Sequence, residues 1–340
     1  MVRVPLLVST VSLLALAAVA GCGHPPAGVR GPVEVGAAVA RAASSDVLRG
    51  HRKAVQAVAF SADGRYLASA GVDGVVLLRD ATSGEVIREL EDRMGPVFCL
   101  AFSGDGERLA TGSADGRLRI WGLSEGRVLT PVNRPNGGAR HLAYTPDGAT
   151  LVVVGEDGVV QLRDGRDAEP RRTLASGRDD VGSLALSRDG KLAAIGDWRG
   201  GVAIFDVADG ALLRRLAPQP DSVQGLAFSP DGRTLASAAG DGMIRLWDVD
   251  TAQAYAKLAG PRGGRASLAF SPDGDWLAAG GQDGGLRLWS VGTRTPLGVR
   301  KGHAGAVTAL AFHPRRRRLV TAGADATLRL WDVDALVRGR

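Results

Sequence analysis

The apolar positions of this chain repeat on a long period. Phe60, Phe102, Tyr144, Leu186, Phe228, Phe270 and Phe312 follow one another at intervals of 42 residues, each preceded by Ala and, one place earlier, by Val or Leu. Within a period, short apolar runs are separated by tight turns: 54–60, the turn at Asp63-Gly64, 66–70, the turn at Asp73-Gly74, 75–80, then a loop and 85–90. Asp-Gly pairs supply the positive-φ residues that two-residue hairpins need, so the pattern predicts four antiparallel strands per period. A four-stranded unit of this size cannot bury its faces alone, and seven such units must stack into a ring. Closure can be read from the ends. Leu48 lies 42 residues before Leu90, which gives 46–49 the register of a fourth strand, whereas the last repeat stops after its third strand near Asp334. The N-terminal segment is therefore expected to complete the last unit and leave no long unpaired edge.

The residues at fixed places in the repeat carry a family resemblance. Gly302-His303, Thr321, Asp325 and Trp331-Asp332 resemble the full WD-repeat signature, and Trp247-Asp248 with Asp241 and Ser237 repeats most of it. The resemblance implies an all-β, seven-bladed β-propeller of four-stranded antiparallel blades over 44–337. It also implies a buried hydrogen-bond chain within a repeat, formed by His303, Thr321, Asp325 and Trp331 in the last. In the first repeat His51, Ser69 and Asp73 keep their places, but Arg79 stands where Trp belongs. Arg163 and Phe205 also replace Trp, and the histidine is lost from repeats two to six, so those blades are expected to be less firmly stapled. An arginine there can lay its stem along apolar surface and pair with Asp73 or Asp157.

Before the repeats, Arg3 is followed by an uncharged run from Leu6 to Ala20, about the length of a signal-peptide core rather than a membrane span. Val19, Ala20, Gly21 and Cys22 resemble the bacterial lipobox, which implies that 1–21 is removed and that Cys22 is lipidated. A plain cleaved signal and an uncleaved anchor are the alternatives. Residues 22–43, rich in Pro, Gly and Ala, read as a flexible tether. The chain is expected to be exported and lipid-anchored to the bacterial cell envelope, in the outer membrane where the host has two.

Composition adds two things. The 48 glycines far exceed the roughly 7% norm and match a chain full of turns. The net charge of +6 invites a nucleic-acid partner, but the basic residues are scattered, apart from Arg315 to Arg318, and no aromatic ladder accompanies them. No nucleic acid is expected. The arginine run replaces a Ser-Pro-Asp-Gly type of turn and suits anionic head groups or an acidic partner, or it is simply solvated.

Candidate chemistry is sparse. His24, His141 and His313 have no metal-ligand spacing, no glycine-rich loop precedes a helix, and Cys99 sits among apolar neighbours. No catalytic residue, metal or cofactor is expected. On the face where the family binds partners, its recognition positions fall at the start of each inner strand and just before the turn Asp. Matching by register gives Gln56, Phe98, Arg140, Asp180, Gln224, Glu156 and Gln282. The fourth repeat reads as irregular: Leu192 falls one place early, and the turn from Gly196 to Gly201 is one residue longer, placing Arg199 in the register of the turn Asp. Trp198 beside it is either an anchor for a partner or a side chain folded back over its own blade. The expected function is a membrane-anchored scaffold binding a protein or peptide, with no small-molecule substrate. The alternative is a propeller enzyme, a lactonase-like hydrolase or a quinone-dependent oxidoreductase, whose groups must converge on the central channel. There the strands carry small residues, and His141 is the main polar exception.

Overall fold

A computed structural model describes residues 46–90, 95–133, 138–175, 181–261 and 266–338. The leader 1–21, the tether 22–43 with Cys22, and Asp180 lie outside the described residues. Seven sheets form, each of four antiparallel strands. The first is built from Val55–Phe60, Tyr66–Gly71, Val76–Asp80 and Val86–Leu90, in chain order from the inside outwards. Five more repeat this order. The seventh takes Val307–Phe312, Arg318–Gly323 and Leu328–Asp332 from the end of the chain and Asp46–Leu48 from its beginning. Asp46 pairs with Leu330 and Leu48 with Leu328, so the ring closes as the 42-residue register predicts. Among the described residues the exception to an all-β fold is a short helix, Val333–Arg338, which tucks Val333 and Leu336 into the core.

The core lies between blades rather than within one. Ala68, Leu78 and Leu90 of the first blade pack against Leu100, Leu109 and Trp121 of the second, while Val55 and Leu67 meet Val320 and Leu328 across the closing seam. This is why one blade is not a stable unit and seven are. Polar groups cross the same seams: Thr308 donates to the Val55 carbonyl at 2.5 Å, Ser183 to that of Val223 at 3.1 Å, and the Cys99 thiol to that of Ala139 at 3.2 Å.

In blades one to six the first and second strands are joined by one kind of turn. The Ser61 hydroxyl donates to Asp63 at 2.6 Å and accepts the Tyr66 N–H at 2.9 Å, with Gly64 at φ +75° between them. Ser103, Thr145, Ser187, Ser229 and Ser271 repeat the bond to an Asp two residues on.

The fourth blade corrects the expected irregularity. Leu186 pairs with Ala193 as Phe60 pairs with Leu67, so Leu192 occupies the place of Tyr66 and arrives in register. The turn after it has the length of its counterparts: Asp197 N–H bonds the Gly201 carbonyl as Gly71 N–H bonds that of Val75. A small Ala193 in a slot that elsewhere holds Leu made the apolar pattern look shifted.

Candidate functional site

The expected hydrogen-bond chain is present in the seventh blade. Trp331 Nε1–H donates to Thr321 Oγ1 at 2.9 Å, the Thr321 hydroxyl faces His303 Nε2 at 2.8 Å, and His303 Nδ1 lies 3.0 Å from Asp325. Asp325 also accepts the Ala304 N–H at 2.9 Å and the Thr327 hydroxyl at 2.7 Å. This sequence of donors and acceptors assigns the neutral, Nδ1-protonated imidazole. Burial lowers the pKa of His303, against the opposing pull of Asp325. Burial pushes the Asp325 carboxyl up, but bonds from His303, Thr327 and the Ala304 N–H outweigh it and bring it down to about 2. The first blade keeps the inner part: His51 Nε2 meets Ser69 at 2.9 Å and Nδ1 meets Asp73 at 3.1 Å. Ser, His and Asp in a row resemble a hydrolytic triad. Both hydroxyls are completely buried, however, and that of Thr321 already accepts an indole N–H, so neither faces a substrate.

Other blades are stapled differently. Where the histidine is missing, an arginine four residues after the turn Asp takes that carboxylate: Arg119 to Asp115 at 2.6 Å, Arg245 to Asp241 at 2.5 Å and Arg287 to Asp283 at 2.6 Å. Arg119 is fully buried and also reaches Ser113 at 3.0 Å. In the fifth blade Gln219 stands in the histidine place: its Oε1 accepts the Ser237 hydroxyl at 3.0 Å and Arg245 at 3.3 Å, while Trp247 donates to Ser237 at 2.8 Å. The second and fifth blades thus carry a buried arginine in place of the histidine, and the sixth an Asp–Arg pair that is more exposed. The Asp-to-Arg spacing was visible in the sequence; Gln219 was not, because an amide replaces the acceptor without resembling the base. Arg79 also departs from its expected pairing with Asp73. Its guanidinium donates to the carbonyls of Gly84 at 2.9 Å and Arg49 at 2.5 Å, filling the Trp slot with backbone contacts and tying the entering chain to the first blade. Arg163 likewise donates to the Ala168 carbonyl at 2.8 Å and to Gln161.

The candidate partner residues gather on one rim. Ladder pairing skips Gln56, Phe98, Arg140, Gly182, Gln224 and Thr308, which marks a β-bulge at the same place in six inner strands. A bulge leaves a residue unpaired and re-aims its side chain, and bulges concentrate beside binding sites. Glu156, Trp198 and Gln282 stand on the neighbouring tight turns of the same rim, all exposed. Trp198 is 39% exposed, and its indole lies over Gly182, where an added Cβ would sit 3.5 Å from the ring. It is therefore seated at the mouth of its own blade with one face open. Arg199 keeps the register of the turn Asp, and Asp197 caps the turn instead, accepting the Arg199 and Gly201 N–H groups at 2.8 and 2.7 Å. The rim is uneven. Phe98, Arg140, Glu156, Trp198 and Arg199 fall on blades two to four, beside Ala114 and Gly182, whereas the matching bulge and turn places on blades five to seven hold Gln224, Gln282, Thr308, Gly240, Ala266 and Ala324, with no aromatic and no charge.

Among the described residues, no group of His, Cys, Asp and Glu is placed to hold a metal, and no helix is long and apolar enough to cross a membrane. The family model for the WD domain, G-beta repeat, matches 43–80, 84–122, 210–248, 255–290 and 294–332, more than half of the chain. The long stretch it passes over, 123–209, includes Arg163 and Phe205 in the Trp slot, yet the third and fourth blades to which they belong are complete four-stranded sheets. A search of curated proteins gave no match.

Proposed function

Since the chain belongs to the WD-repeat family, whose propellers commonly serve as protein-interaction scaffolds, we propose that it is a non-catalytic scaffold, lipid-anchored through Cys22 at the bacterial cell envelope, that holds a protein or peptide on its bulged rim. The observation that carries the partner reading is the uneven rim. An aromatic seated on a glycine, with cationic and acidic side chains on the adjoining blades, is the composition of a binding hot spot. These groups sit on blades that depart from the family pattern, and such departures are expected where function overrides local consistency. Envelope localisation is supported by the uncharged run before Val19-Ala20-Gly21-Cys22 and by the composition of 22–43.

Crosslinking in native membranes identifies the partner. Replacing Trp198, Phe98 and Arg140 by Ala is then expected to abolish capture and leave the melting temperature unchanged; undiminished capture would place the contact elsewhere. Cys22→Ser is expected to move the chain from the membrane to the soluble fraction. An unmodified Cys22 in membrane-bound protein, read by intact mass, would refute the anchor.

A further inference from the structure

We propose that the seam between blades 7 and 1 docks the phosphate groups of an anionic lipid surface. A cleft of about 430 Å3 opens there, lined among others by Asp63, Arg65, Tyr66, Ile87, Arg315 and Arg316. The four consecutive arginines of the hairpin are not equivalent. Arg317 pairs with Asp334 at 2.8 Å and Asp273 at 3.6 Å, and Arg318 donates to the Thr82 carbonyl at 3.4 Å. Arg315 and Arg316 are exposed, face the cleft and make no ion pair among the described residues.

The hairpin backbone beneath them is fixed. His313 Nδ1 accepts the N–H groups of Arg315 and Arg316 at 3.1 and 3.0 Å, and its Nε2–H donates to the Gly64 carbonyl of blade 1 at 3.1 Å. Burial holds the His313 pKa down, and Arg316, Arg318 and Arg315 lower it further, so the imidazole stays neutral in a positive field. Two carboxylates share the cleft, but each is engaged by its own turn: Asp63 by the Ser61 hydroxyl and the Arg65 N–H, Asp80 by the Thr82 and Ser83 N–H groups. Arg65, whose guanidinium lies 5.4 Å from the Tyr66 ring centre, pairs loosely with Asp63 at 3.9 Å, so three cations face two carboxylates and the cleft keeps one net positive charge.

The lip is apolar. Ile87, which lines it, is 50% exposed. Cations beside exposed aliphatic and aromatic groups are what a headgroup layer accommodates, with phosphates outside and hydrocarbon just below. The path of the chain points the same way. Asp46 pairs with Leu330 in the direction of Asp332, and Asp332 pairs with Arg318, so the N-terminal segment enters the ring at the end of blade 7 that carries the arginines. The choice of a membrane as the source of phosphate rests on the proposed anchor.

Reconstitution of the full chain into vesicles of phosphatidylcholine alone, or with added phosphatidylglycerol, provides the test. Amide exchange of the 313–318 hairpin is expected to slow only on the anionic vesicles and to recover in high salt. Arg315→Gln with Arg316→Gln is expected to lower the docked-to-free ratio about 30-fold, from about 1 kcal/mol for each basic side chain at an anionic surface. Both side chains are exposed, and unchanged exchange in the other blades reports an intact fold. Equal exchange on the two vesicle types would overturn the proposal. Protection by inorganic phosphate on neutral vesicles would assign the cleft to a soluble phosphate and overturn the membrane source. The anchor is read separately, by association with neutral vesicles, and its failure leaves the comparison of hairpin exchange on anionic vesicles intact.

Discussion

Replacing Thr321 by valine removes one oxygen from the seventh blade and leaves the shape of the side chain almost unchanged. Two buried groups lose their partner: the indole N–H of Trp331, now 2.9 Å from Oγ1, and the Nε2 lone pair of His303, at 2.8 Å. Trp331 is 2% exposed and His303 8%, so water does not replace the lost hydroxyl. An orphaned buried donor or acceptor costs about 1–3 kcal/mol, so the pair costs about 2–6 kcal/mol. Thr321→Ser keeps both bonds and gives up one methyl, about 1 kcal/mol. The fifth blade calibrates the argument. Ser237→Ala orphans only the Trp247 N–H, because Gln219 Oε1 retains Arg245 at 3.3 Å, and its cost is expected to be about half that of Thr321→Val. Equilibrium urea unfolding of the full chain, followed by far-UV circular dichroism and tryptophan fluorescence, measures all three. Thr321→Val within about 0.5 kcal/mol of Thr321→Ser, a difference no larger than ordinary surface substitutions give, or Ser237→Ala as costly as Thr321→Val, would refute the orphan count.

Further expectations follow from the same networks. Stability is expected to fall in two steps as pH drops. His51, His303 and His313 all have folded pKa values below their ordinary 6.5, so the unfolded chain takes up protons first and stability declines from about pH 6.5 downwards. Asp325, at about 2 against an ordinary 3.8, adds about 2 kcal/mol that is present above pH 4 and lost as pH falls towards 2. Thermal melts across pH check both steps, and His313→Ser, the residue type of most other hairpins, is expected to shrink the first; a flat profile between pH 7 and 5 contradicts the histidine reading. Gln219→His removes a buried amide Nε2 that has no partner and is expected to raise stability by about 1 kcal/mol, read as a shift in the urea midpoint. Trp198→Ala is expected to weaken the crosslinked partner at least 30-fold, about 2 kcal/mol, with no change in melting temperature; an equal loss of stability would mean that the indole is core.

The ring was legible because its signal is redundant. Seven copies of one register fix blade number, strand order and closure, and no single residue has to be read correctly. Blade four shows the limit: with Ala193 in place of a large residue, the nearest apolar residue, Leu192, mimics the core position, and only strand pairing restores the register. The rim positions Phe98, Arg140, Glu156 and Gln282 were found by register, but the bulges that aim the first two were invisible, because each bulge leaves the spacing between repeats unchanged. The staples divide the same way. His303 and His51 are recognisable by residue type, whereas Gln219 meets the Ser237 hydroxyl with an amide and Arg79 binds backbone carbonyls where a Trp would reach a hydroxyl, which only the geometry reveals.

Closure of the ring sets an order on assembly. Thr308 reaches Val55 across 253 residues of sequence and His313 reaches Gly64 across 249, and bringing such distant segments together carries a loop-closure cost of about 5 kcal/mol. Blades one to six are each built from neighbouring hairpins and can form as the chain is made. The strand Asp46–Leu48 must wait for Leu328–Asp332, which lies about 280 residues further along the chain. A chain that stops short of Leu328 leaves this first strand with no partner and the first blade with an uncovered face. Blade seven therefore acts as a check on length: the strand Asp46–Leu48 stays uncovered until the chain has run through Leu328.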